Sequence, residues 1–160
     1  GKVTSDDIAD IEKLIDDIGA LLDSDNLTDT QRDDLEDLRD KAKDMLDRIT
    51  EAEDVADAEE IKAVDGITED NVKLDDKDAL EKAKKVLESA IRDFDGNYTD
   101  EERKDLDAKL ETVKAALASI DNVEKAIELI SRLSSLDNAF SSIILCSHSM
   151  VAPLPAMIAS

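Results

Sequence analysis

The chain has 160 residues and carries 42 acidic against 20 basic side chains, for a formal net charge of −22, with Phe94, Tyr98 and Phe140 as its only aromatic residues. So many carboxylates repel phosphate backbones and anionic membrane faces, and so few aromatic rings leave no stacking platform, which excludes direct nucleic-acid binding. Cys146 has no second cysteine to pair with, so an internal disulfide is excluded and cysteine usage fixes no redox compartment.

The first residues, Gly1 to Asp7, contain no apolar run of the kind a secretion signal needs, so any signal peptide is expected to have been removed or never present. Ile8, Ile11, Ile15, Ile18 and Leu22 then recur at three- and four-residue steps, and Leu35, Leu38, Ala42, Met45 and Ile49 do the same. These spacings predict two helices with one apolar stripe each. A thinner stripe, Val55, Ala58, Ile61 and Val64, predicts a third helix after Thr50. Residues 65–74 have no helical stripe and contain the helix-stopping Gly66, so they read as an ordered connector in which Ile67 and Val72 can be buried.

The second half repeats the plan, with stripes Leu80–Ala83–Leu87–Ile91–Phe94, Leu106–Leu110–Val113–Leu117–Ile120 and Val123–Ile127–Ile130–Leu133. Sliding the sequence 71 positions lays Asn26–Ile49 on Asn97–Ile120, and nine of 24 positions match, among them Thr28, Arg32, Leu35, Leu46 and Ile49. The first helix of each half aligns only with a gap of about two residues. Four capping-box spacings mark helix starts: Thr28 with Gln31, Thr50 with Glu53, Thr99 with Glu102 and Asp121 with Glu124. The expectation is an all-α protein of two tandem three-helix units, residues 1–64 and 75–137, joined by the connector 65–74.

From Asn138 to Ser160 no charged side chain occurs. Ser147, His148, Ser149, Pro153 and Pro155 interrupt this tail, so it does not read as a membrane span. Its abrupt composition suggests a segment of separate origin from the repeat. The competing readings are a short amphipathic helix through Phe140, Ile143, Ile144 and Met150, or an apolar patch that drives self-association, and an oligomer is expected only in that last case.

Chemistry has little to work with. A nucleophilic triad would have to use His148, the sole histidine, and the neighbouring Cys146-Ser147 offers no acid to orient it. Two-histidine zinc sites are impossible, and no glycine-rich phosphate loop exists. Asp23, Asp25 and Asn26 in one loop, and Asp95, Asn97 and Asp100 in the other, supply oxygen donors suited to calcium, but neither loop has the EF-hand frame. Loop and cap roles account for them, and for the threonines of the Asn26-Leu27-Thr28 and Asn97-Tyr98-Thr99 sequons. No catalytic residue, cofactor or metal is therefore expected. Charge is uneven: residues 1–70 hold 25 acids and 8 bases, residues 71–137 hold 17 and 12. The first half should be the more salt-sensitive, because its like charges repel.

Asp25-Asn26-Leu27-Thr28-Asp29 and Asp95-Gly96-Asn97-Tyr98-Thr99-Asp100-Glu101-Glu102, each between two Ala/Leu-rich helices, resemble the helical-bundle repeats of large Gram-positive cell-wall surface proteins. The connector Gly66-Ile67-Thr68-Glu69-Asp70-Asn71-Val72 resembles their inter-helix segment, and the resemblance runs from about Val3 to Asp137. It implies an extracellular or cell-wall location and a non-enzymatic role as spacer or adhesive segment. Leu154-Pro155-Ala156-Met157 lacks the Thr-Gly of a wall-sorting signal. Three functional classes stay open. One is a spacer or stalk of a bacterial surface protein. The second is an adhesin-type module presenting a helix face to a host extracellular protein, which would need Leu27, Phe94 and Tyr98 exposed together. The third is an acidic intracellular protein that binds a basic partner, in the manner of a nucleic-acid mimic.

Overall fold

The computed structural model describes the backbone of residues 1–150 and the side chains of residues 1–139. It is all-helical: α1 (Ile8–Leu22), α2 (Asp29–Ala56), the single turn α3 (Glu59–Lys62), α4 (Lys77–Phe94) and α5 (Asp100–Met150), with one-turn 3-10 helices at Ser5–Asp7, Leu74–Asp76 and Asp95–Asn97. Two compact units result, Gly1–Ile120 and the stretch from Asp121 onward.

Within the first unit the repeat is visible as two helical hairpins. The backbone N–H of Thr4 donates to Asp7 Oδ2 at 2.9 Å ahead of α1, and that of Lys73 donates to Asp76 Oδ2 at 2.8 Å ahead of α4. These starts stand 69 residues apart, whereas Thr28 and Thr99 stand 71 apart. The two-residue gap therefore lies between them, where α4 has 18 residues and α1 has 15.

Thr28 and Thr99 both form the reciprocal cap. Thr28 Oγ1 accepts from the Gln31 N–H at 3.2 Å while its own N–H donates to Gln31 Oε1, and Thr99 exchanges the same pair of bonds with Glu102. Each satisfies donors that a helix start leaves unpaired. Thr28→Ala and Thr99→Ala are each expected to lower the denaturant-derived stability by about 1 kcal/mol, with the helical circular-dichroism signal of the native state unchanged.

The other two expected starts are interior positions. Thr50 lies within α2 and its hydroxyl donates to the Leu46 carbonyl, while Asp121 lies within α5 and pairs with Lys125 at 2.7 Å. A capping box needs an extended residue at its head, and turn residues precede Thr28 and Thr99. None precedes Thr50 or Asp121, so the good helix formers around them carry the helix straight through.

The packing consequently departs from two self-contained three-helix units. The first hairpin keeps a small core of Ile11, Ala42 and Ile49, with Val3, Ile8, Ile15 and Leu46 against it. The larger core joins Ala52, Ile61 and Val64 of the first half to Leu80, Leu87, Tyr98, Leu106, Val113 and Ile120 of the second. The expected third helix is split: Val55 falls in the last turn of α2, the chain turns at Asp57 and Ala58, and only the single turn α3 follows, which with its flanks lies on the second hairpin. The connector is ordered there: Gly66 takes the left-handed conformation (φ 78°), Asn71 Nδ2 donates to its carbonyl, and Ile67 and Val72 are half-buried. A side chain at Gly66 would strain this turn whatever the space around it.

In the second unit α5 continues from Asp121, with Val123, Ile127, Leu129, Ile130, Leu133 and Leu136 between 45% and 66% exposed. Backbone helix persists to Met150, so the start of the uncharged tail is helical. The side chains of Phe140, Ile143, Ile144, Cys146, His148 and Met150, with the whole of 151–160, lie outside what the structure describes. No helix among those described is long and apolar enough to cross a membrane.

Candidate functional site

Sequence reasoning singled out Leu27, Phe94 and Tyr98 as a partner-binding trio. Within the first unit the loop after α4, the C-terminal half of α2 and the N-terminal residues converge around two of them. Tyr98 is 1% exposed, and its hydroxyl donates to the Ala52 carbonyl at 2.7 Å. Loss of water around the phenol, reinforced by the Glu102 carboxylate, pushes the Tyr98 ionisation up to about 12. Phe94 is half-buried against the same core, and the Arg48 guanidinium sits over its ring at 4.5 Å from the centroid while also donating to the Asp93 carbonyl. Leu27, which occupies the Tyr98 position of the first hairpin, is half-exposed. The three therefore do not form one exposed face: Tyr98 belongs to the core.

Around this core the N-terminus is clasped. Val3 N–H donates to the Gly96 carbonyl at 3.0 Å, and Asn97 Nδ2 donates to the Val3 carbonyl at 3.0 Å. Lys2 pairs with Asp100 at 3.0 Å, and Ser5 Oγ donates to Glu102 Oε1 at 2.7 Å. In this way the oxygen donors proposed for calcium in the second loop are engaged elsewhere: Asp95 pairs with Arg103, Asn97 with Val3 and Asp100 with Lys2. Among the described residues no three His, Cys, Asp or Glu side chains converge as a metal cage would require.

Arg103 and its repeat partner Arg32 do equivalent work that sequence reasoning missed. Arg32 donates to the carbonyls of Leu22 at 2.6 Å and Ser24 at 3.2 Å, tying off the end of α1, while Arg103 reaches Asp95 and Asp107. The signal was present, since this arginine is one of the nine matched positions.

A groove of about 440 Å³ runs beside Tyr98, lined by Glu53, Asp54, Asp57, Glu102, Asp105 and Lys109 among others. Glu102 is committed to Thr99 and Ser5. Glu53, Asp54, Asp57 and Asp105 are exposed to solvent. What the arrangement does chemically is join elements: two hairpins, a linker and the N-terminus share one buried tyrosine.

With this geometry in place the class of molecule is an acidic, all-helical bundle built from a duplicated hairpin. No protein-family model, curated protein or solved structure matches the chain significantly.

Proposed function

We propose that the chain is a non-catalytic helical spacer of a bacterial cell-surface protein, placed at the cell wall by its parent. The observation that carries this reading is the burial of Tyr98 beneath Ala52, which spends the best candidate for a partner-facing anchor on joining the two hairpins. A spacer needs folding and solubility. The shared core supplies the first, and the coat of solvated carboxylates supplies the second. An adhesin-type face would instead gather rigid aromatic anchors at the surface. The test is retention of serum and extracellular-matrix proteins on the immobilised full chain at physiological salt, read by mass spectrometry. Nothing retained above a blank surface is expected. A single partner, lost on Leu27→Ala, would overturn the spacer reading in favour of a host-binding module.

A further inference from the structure

We propose that the chain associates head to tail, with the apolar stripe between Val123 and Leu136 of one copy packing on the α1–α2 hairpin of a second copy. The argument rests on a joint that the molecule already makes once. In the second hairpin Ala83, Ala90 and Ala116 are fully buried in one core with Ile61 and Val64 of the preceding segment. Their repeat-related positions in the first hairpin, at the 69-residue step for α1 and the 71-residue step for α2, are Leu14, Leu21 and Met45. These are 42%, 51% and 46% exposed. The face that is sealed on one hairpin is bare on the other. Leu27 repeats the contrast, being half-exposed where Tyr98 is buried.

The segment that would seal it also exists, after the second hairpin. At a step of 71, Ala52 and Ala56 correspond to Val123 and Ile127. At a step of 69, Ile61, Val64 and Ile67 correspond to Ile130, Leu133 and Leu136, with the same three-residue spacing. The two-residue difference falls where the chain leaves the helix between Ala56 and Glu59 in the first copy. Thus the sequence that follows the second hairpin carries the apolar pattern that the first copy uses to cover its neighbour, and carries it exposed.

Charge permits the same pairing, although both surfaces are net negative. The strongly acidic segment 50–67, with seven acids and one base, already lies on the milder hairpin 74–120, with 13 acids and nine bases. The open hairpin 1–49 holds 16 acids and seven bases, while the segment 121–137 has only four acids and two bases. Each acidic surface is thereby matched with the less charged partner, which limits like-charge repulsion. Because the two surfaces differ, the contact is heterologous and can propagate from copy to copy.

Sedimentation of the full chain over a range of concentrations tests this, using two variants altered at exposed positions and checked for helical content by circular dichroism. Ile130→Asp with Leu133→Asp breaks the stripe, and Leu14→Asp with Met45→Asp breaks the hairpin face. If the latter pair unfolds, Leu21→Asp replaces it. The wild type is expected to grow beyond a dimer as concentration rises, and each variant to stay monomeric. An equimolar mixture of the two variants is expected to form a dimer and stop there, since one intact surface of each kind remains. A monomeric wild type at every concentration would overturn the proposal. So would self-association of the hairpin-face variant, which would mean that the stripe pairs with itself or that the uncharged tail associates. A mixture that stays monomeric, or a stripe variant that still associates, would overturn it equally.

Discussion

Tyr98→Ala is expected to lower the stability of the 1–120 unit by about 3–5 kcal/mol, the range for deleting a buried aromatic ring, and its melting temperature by roughly 10–20 °C. The ring is among the largest fully buried side chains, and removing it empties the point where α2, the loop after α4 and the start of α5 meet. It also leaves the Ala52 carbonyl without the phenol that donates to it. Tyr98→Phe keeps the ring and loses only that bond, so it should cost about 1 kcal/mol. The two variants differ again in alkali. Because burial favours the neutral phenol and raises its ionisation to about 12, the stabilisation is whole below the ordinary tyrosine value of about 10 and fades as pH rises from there through the raised value. Tyr98→Phe lacks this ionisation, so the stability gap between it and the wild type should narrow, close and then reverse as pH rises through that window. Denaturant midpoints at several pH values check both effects, and an unchanged gap would show that the phenol is not held in the core.

Ile61→Asp and Ile130→Asp are the same substitution at repeat-related positions, and their outcomes should be far apart. Ile61 is 2% exposed within the core that unites the halves. A carboxylate there would be buried among apolar side chains and would cost about 3–5 kcal/mol, unless the segment lifts off to hydrate it. Lifting off would surrender the burial of Val64 and Ile67 as well. Limited proteolysis should then open the stretch between Glu59 and Lys73, and the denaturation midpoint should fall. Ile130 is 62% exposed, so in dilute solution the change should stay within about 0.5 kcal/mol. Equal effects at the two sites would refute the assignment of Ile61 to a shared core.

The helices around Ile8–Leu22, Leu35–Ile49, Leu80–Phe94 and Leu106–Ile120 were legible because apolar spacing and caps are local signals. Thr50 and Asp121 misled for the opposite reason. In a chain this rich in Glu, the Thr-x-x-Glu or Asp-x-x-Glu spacing recurs without the extended residue that makes it a cap. Tyr98 entered the sequence reading only as a side chain that an adhesin-type face would need exposed, and nothing in its neighbours decided whether it is. What buries it is Ala52, 46 residues earlier, and no local pattern reports a contact of that range. The same non-locality explains why Ile61 and Val64 were assigned to the half of the sequence they belong to, when they pack on the other one.

The clasp at the N-terminus gives the molecule a mechanical character. If the unit is pulled between Gly1 and Ile120, tension entering at Val3 passes directly to Gly96 and Asn97 through their mutual hydrogen bonds, and leaves along α5. The first hairpin, the linker and α4 lie outside that line of force while the clasp holds. Once it parts, the chain between Val3 and Asn97, a separation of 94 positions, comes under load together, with a reach of roughly 300 Å when drawn out straight. A few bonds of 3.0 Å thus act as a fuse, behind which most of the fold is stored as slack.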